Sequence, residues 1–166
     1  SKGQDQQVID QLKQAGPKII GWIKKIYPSL AIIGTGLVVW INVVISKPLF
    51  QFRGVKYPDM GRADYWHAPE YMVWGLIAAG FSIFFSIPTL ESIAINAVIV
   101  FSAIYVFHGL SIVLFFLNKY NVPIWARFII YVIILFQWMF MIILALMGLF
   151  DQWVDFRKIN KPLVNE

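Results

Sequence analysis

Two long uncharged runs set what the second half of this chain can become. Residues 92–117 (SIAINAVIVFSAIYVFHGLSIVLFFL) and 128–150 (FIIYVIILFQWMFMIILALMGLF) contain no Asp, Glu, Lys or Arg. A helix rises ~1.5 Å per residue, so ~20 apolar residues cross the ~30 Å hydrocarbon core of a bilayer. Both runs exceed that length. In lipid no water is present to satisfy backbone amides, so such segments must be helical.

Two shorter runs extend the pattern. Residues 29–46 carry no charge and follow Pro28, and residues 71–87 precede the turn at Pro88. The chain is 59% hydrophobic and only 14% charged, against about a quarter charged in soluble domains. We therefore expect an all-α fold: a polytopic transmembrane helical bundle with four spans, at about 29–46, 71–87, 92–117 and 128–150. Residues 1–28 read as an N-terminal interfacial amphipathic helix. Val8, Ile9, Leu12 and Ala15 share a face, Gly16-Pro17 interrupts it, and Lys18, Lys24 and Lys25 can snorkel to phosphates. Residues 159–166 read as a polar tail.

The formal charge of +5 comes from basic residues that flank the apolar runs, so lipid and topology account for it, and nucleic acid is not an expected partner. With four spans the termini share one side, which holds eight Lys/Arg against six on the other. The positive-inside rule then places the termini in the cytoplasm. The absence of Cys excludes disulfides, thiolate catalysis and Cys-based metal sites. The first residues, beginning at Ser1, are polar and do not form a signal peptide.

Polar residues inside the runs are the candidate site. His108 lies deep in the third run, and ionisable groups within a membrane are functional hypotheses by default. Proton relay or ligand contact is one reading. A neutral imidazole hydrogen-bonded across a helix interface is the favoured one, since no acid lies near it in the same run. Gln137, near the middle of the fourth run, should bond another helix, with His108 or Asn42 as partners, and Asn42 should face another helix or the headgroups. Asn96, twelve positions before His108, falls on a different face. Gly75, Ala79, Ser82 and Ser86 line one small face of the second run, a packing face in lipid. Asp64, His67 and Glu70 are spaced by threes, but Pro69 argues against the helical turn that would gather them, and no metal or cofactor is expected. Asp151 and Asp155 stand four apart beside Trp153, Arg157 and Lys158. They read as a solvated helix end at the membrane surface, with acid–base catalysis as the alternative.

FHGLSIVLFFLNKYNVPIWARFIIYVII followed by LMGLFDQWVDFRK resembles the closing signature of the YybS-like bacterial membrane proteins, a family of unknown function. The residues carrying it are Gly109, Leu110, Phe115 to Leu117, Pro123, Trp125, Gly148, Asp151, Trp153, Asp155, Phe156 and Arg157, with a looser match around Trp66, Pro69 and Trp74. The position before Gly109, often Gln in the family, is His108 here. Members are usually longer, so the resemblance implies a fragment or a shortened member. Their distant similarity to substrate-binding components of energy-coupling-factor vitamin transporters implies solute binding and a coupling partner. The resulting expectation is a non-enzymatic protein of the bacterial inner membrane, in solute transport or as a subunit of a membrane complex, with other membrane subunits or a second copy as partners. A purely structural scaffold is the alternative.

Overall fold

The computed structural model describes residues 2–55, 61–85 and 87–158. Helices α1 (Lys2–Phe52), α2 (Met72–Ser82), α3 (Pro88–Lys119), α4 (Ile124–Phe136) and α5 (Trp138–Val154) follow one another, with a short 3-10 turn at Ala63–Tyr65 before α2. The described residues form no strand. Side chains of Val8, Ile9 and Leu12, the whole of Ser86 and the tail 159–166 lie outside the described residues.

α3 is the axis. Pro88 occupies its first turn, where a missing N–H costs nothing and the fixed φ suits a helix. Glu91 sits at the same positive end. The helix thus starts four residues before the apolar run. At the other end Asn121 takes a left-handed conformation, the Val122 N–H returns to the Leu117 carbonyl, and Arg127 donates to the carbonyls of Leu117 and Val122. α1 runs parallel to α3, with Lys25 paired to Glu91, Ser29 bonded to Asn96 and Trp40 beside Phe107. α2 returns along α3, and α5 crosses it near the middle.

The helices divide the chain differently from the apolar runs at three places. Residues 1–28 do not make a separate surface helix, because α1 continues through Gly16, Pro17 and Pro28 to Phe52. At Pro28, which has no N–H and crowds the preceding turn, the neighbouring rung is bridged from outside. Asn96 accepts from the Ser29 N–H and donates to the Lys25 carbonyl, both within 2.8 Å. Within α1, Ala15–Ser46 is long and apolar enough to cross a membrane.

The second run contains only the 11-residue α2, about 16 Å of helix and short of a bilayer core. Its way along α3 is completed by the extended residues before Met72, where Trp66 bonds Ser111 of α3. The small face is only partly a packing face. Ala79 is buried and a Cβ on Gly75 would meet the Phe101 ring at 2.7 Å, but Ser82 bonds its own helix through the Ala78 carbonyl.

The fourth run is not one rod. It breaks at Gln137, whose extended ψ of 101° ends α4 and starts α5, with 101° between the two helices. Two helices, α1 and α3, are therefore long and apolar enough to span, or three spans if the bent pair counts as one, where four were expected. Hydropathy registers composition, and a single change of backbone conformation leaves it unaltered.

Candidate functional site

The centre of the molecule is where α5 crosses α3. Two glycines permit it. A Cβ on Gly109 would lie 2.2 Å from the Leu144 carbonyl oxygen, and one on Gly148 would lie 2.3 Å from that of Tyr105. Only hydrogen fits between these backbones, and in lipid such close approach is how helices gain contact. The crossing sets Asp151, one turn beyond Gly148, against His108, one residue before Gly109. His108 Nε2 is 3.0 Å from Asp151 Oδ2, and both side chains are almost fully buried.

The end of α5 then folds back. Asp155 adopts the left-handed conformation (φ 47°), which Asp tolerates through its short polar side chain, and its N–H still reaches the Asp151 carbonyl. The next N–H, of Phe156, donates to Asp151 Oδ1. This reversal carries Arg157 inward rather than into water, leaving its side chain 3% exposed.

Arg157 joins three segments: α5, α3 and the stretch before α2. Its Nη2 donates to Asp151 Oδ2 at 3.0 Å and lies 3.1 Å from His108 Nε2. Its Nη1 faces the Asp64 carbonyl at 2.9 Å, the Trp66 carbonyl at 3.1 Å and Ser111 Oγ at 3.0 Å. Ser111 donates onward to the Trp66 carbonyl. The non-helical stretch before α2 is thus tied by its own carbonyls to a guanidinium from the far end of the chain. His108 Nε2 cannot both donate to the carboxylate and accept from the guanidinium. Donation to Asp151 satisfies the charged acceptor and leaves Nδ1, buried and without a partner, as the bare nitrogen. Arg157 Nε is likewise buried and unpartnered.

Beside the centre is a cavity of about 30 Å³, walled by His67, Glu70, Gln152 and Asp155 together with His108, Asp151 and Arg157. That is room for roughly one or two waters, whereas sites for organic ligands run to hundreds of Å³. Gln152 also donates to the Tyr105 hydroxyl at 3.2 Å.

The expected site residues are therefore sorted differently from the sequence. His108 is central, but its partners are Asp151 and Arg157. Gln137 is exposed at the helix break, and Asn42, exposed on α1, donates to the Val38 carbonyl of its own helix. Neither reaches His108. Asp151 is buried rather than solvated, and Arg157 is an interior cation rather than a snorkelling one. Asp155 is half-buried and forms a wall of the cavity. Trp125 and Trp153 are exposed, and Pro123 precedes the first residue of α4. Asp64 turns to Arg62 and Asn118, away from His67 and Glu70. Among the described residues no group of three or more His, Asp or Glu is placed to hold a metal.

Sequence reasoning missed the carbonyls of Asp64 and Trp66 and the Asn96 bridge. Carbonyls have no residue signature, and Asn96 was readable only as a polar residue within an apolar run. No curated protein and no solved structure matches the chain. The family model described as "Predicted membrane protein (DUF2232)" matches residues 1–152, all of α1 to α4 and α5 through Gln152. With long apolar helices and a buried ionic centre already in place, this match identifies the chain as a member of that family of predicted membrane proteins.

Proposed function

We propose that the protein is a non-enzymatic subunit of a membrane complex, transport-related in its task, in the bacterial inner membrane. The observation that carries the reading is the break at Gln137. Leu135, Phe136 and Trp138 around it are 68%, 86% and 72% exposed. Lipid can cover apolar side chains, but irregular backbone within hydrocarbon is tolerated only when protein or a water-filled cavity covers it. A neighbouring protein helix over the break meets that need.

The centre fits the same role. Its polar groups are largely spent on one another, and the adjoining cavity of about 30 Å³ is too small for an organic solute. This supports a part that holds a fixed arrangement for its partners rather than a cradle for a vitamin-sized ligand. We further propose that this partner is a coupling partner, the role expected from the resemblance named above. A purely structural scaffold shares the same observation and differs only in what the partner does.

The chain has no Cys, so single-Cys variants report cleanly. A photoreactive residue at Phe136 in native membranes should give one discrete protein adduct. A Gln137→Cys variant should resist a membrane-impermeant thiol reagent. Lipid adducts alone, with rapid labelling at 137, would place the break at the aqueous interface and remove the reason for a partner. Purification in mild detergent should recover the partner in fixed stoichiometry, and a retained organic molecule without a partner would favour solute carriage instead.

A further inference from the structure

A second cleft lies at the far end of α3, away from the His108 centre. It is an open groove of about 340 Å³ between the 3-10 turn and the last turns of α3, lined by Arg62, Asp64, Tyr65, Phe115, Asn118 and Lys119. Tyr65 and Phe115 meet edge to face at 5.6 Å and form its aromatic wall. The one acid in it is already committed. Asp64 Oδ2 accepts from Arg62 at 2.7 Å and from Asn118 at 3.1 Å, and Arg62 Nε adds a contact of 3.2 Å to Oδ1. Arg62 holds the Asp64 carboxyl below the usual carboxylate range, so Asp64 stays ionised and satisfied.

The cations are not used up. A guanidinium has five N–H donors, of which two are directed at Asp64. The rest of Arg62 lies over the Tyr65 ring at 4.5 Å and its side chain is 67% exposed. Lys119 approaches only the Phe116 ring, at 6.0 Å, and makes no ion pair among the described residues. Beneath them Arg127 anchors Asn118 through Oδ1 at 2.6 Å and meets the α3 carbonyl end. Arg62 thus pairs with the one carboxylate, Lys119 lines the same cleft and Arg127 holds Asn118 from behind, where a candidate span leaves the apolar region.

We propose that this cleft binds the phosphate of an anionic lipid headgroup, with Arg62 and Lys119 as its ligands, Asn118 as an amide donor fixed from behind, and the Tyr65–Phe115 wall against the glycerol. The volume suits a headgroup, and basic pockets at the ends of membrane helices are suited to anionic headgroups. Because the Asp64 carbonyl also accepts from Arg157, an occupant here would brace the stretch that closes the central site.

The test uses the full chain in nanodiscs of phosphatidylcholine alone or with phosphatidylglycerol added, read by native mass spectrometry and thermal unfolding. Wild type should retain phosphatidylglycerol and unfold at higher temperature with it. Arg62→Gln with Lys119→Gln should weaken retention about tenfold or more, while Lys13→Gln with Lys18→Gln, which removes the same charge from exposed α1 positions, should not. Lys119→Gln alone leaves the Arg62–Asp64 pair intact and should show a partial loss. Glycerol phosphate added to phosphatidylcholine nanodiscs separates the sources, and saturable binding without anionic lipid would overturn the lipid assignment in favour of a soluble phosphate. Equal retention by both double variants would overturn the site itself. Neither outcome depends on whether a partner covers Gln137.

Discussion

α1 and α5 both lie on α3, and they are held in opposite ways. α5 crosses with its backbone in contact at Gly109 and Gly148 and buries an ionic centre beside the crossing. α1 is fastened at a few polar points near one end, through Lys25–Glu91 and Asn96, while its apolar stretch is only 6% buried within the chain. In water a surface so apolar would be driven onto the rest of the fold. In lipid that drive is absent, since acyl chains are as apolar as Leu, and helices meet only where small residues or polar groups draw them together. The α5 contact is specified by residues that must touch. The α1 contact is specified by a clip.

The comparison can be broken most forcefully at the ionic centre. Arg157→Ala removes the cation that faces Asp151, and Asp151→Ala removes the carboxylate that faces Arg157, each in a nearly solvent-free site. Each should cost about 3–5 kcal/mol in thermal or denaturant unfolding in detergent. Replacing both by apolar residues of similar volume should cost less than either alone. If each single change costs under about 1 kcal/mol, the centre is not the lock described here.

Next in size is Gly109→Ala. The added Cβ would press on backbone rather than on a movable side chain, and a loss of about 1–3 kcal/mol is expected. Cross-linking between cysteines placed on α3 and α5 would show the two helices moving apart. Gly34→Ala, on the open part of α1, meets nothing within 4 Å and should leave stability unchanged or slightly raised.

Asn96→Ala tests the clip. It removes three hydrogen bonds, to Ser29, Lys25 and Ser92, and should cost about 1–2 kcal/mol. The loss should appear as faster hydrogen exchange near Pro28 with the α3–α5 contact unaffected. Spread of the effect to α5 would mean that the two contacts are coupled and the contrast is false.

The smallest effect concerns pH. The Asp64 carboxyl is held low chiefly by the Arg62 side-chain hydrogen bond, against a desolvation cost and with help from Asn118. Its folded pKa lies below the unfolded one of about 3.9, so its contribution is complete above that value and fades as pH falls through the folded pKa. Arg62 is largely exposed, so the gain is well under a strong ion pair. Exchange in residues 61–66 should quicken below about pH 4 in wild type, and this acid-side change should be absent in Asp64→Asn.

Much of the scaffold was legible in the residues. The run containing His108 is a long helix because nothing in it interrupts apolar helical packing, and Pro88 and Pro123 mark where helices begin. The break at Gln137 was not legible, since Phe136-Gln137-Trp138 has no Gly or Pro to announce it. The centre was legible in part. His108, Asp151 and Arg157 each drew notice, but as a lone histidine and a solvated helix end. What hid their meeting is distance along the chain. Asp151 lies 43 residues from His108, and Arg157 lies 93 from the Asp64 carbonyl it binds. Periodicity describes one helix at a time.

By itself the sequence determined the solvent and the elements. Long uncharged runs without Cys must be helices in lipid, because no other backbone arrangement within such a segment satisfies its own amides there. The tertiary structure decided which polar groups would be spent on one another. Gly109 and Gly148 let two backbones touch, Asp155 turned the chain back, and together they brought a carboxylate, an imidazole and a guanidinium into one buried site. The carboxylate and the guanidinium are each costly to bury alone. Only their assembly in three dimensions offsets the cost, and no local pattern of residues encodes that assembly.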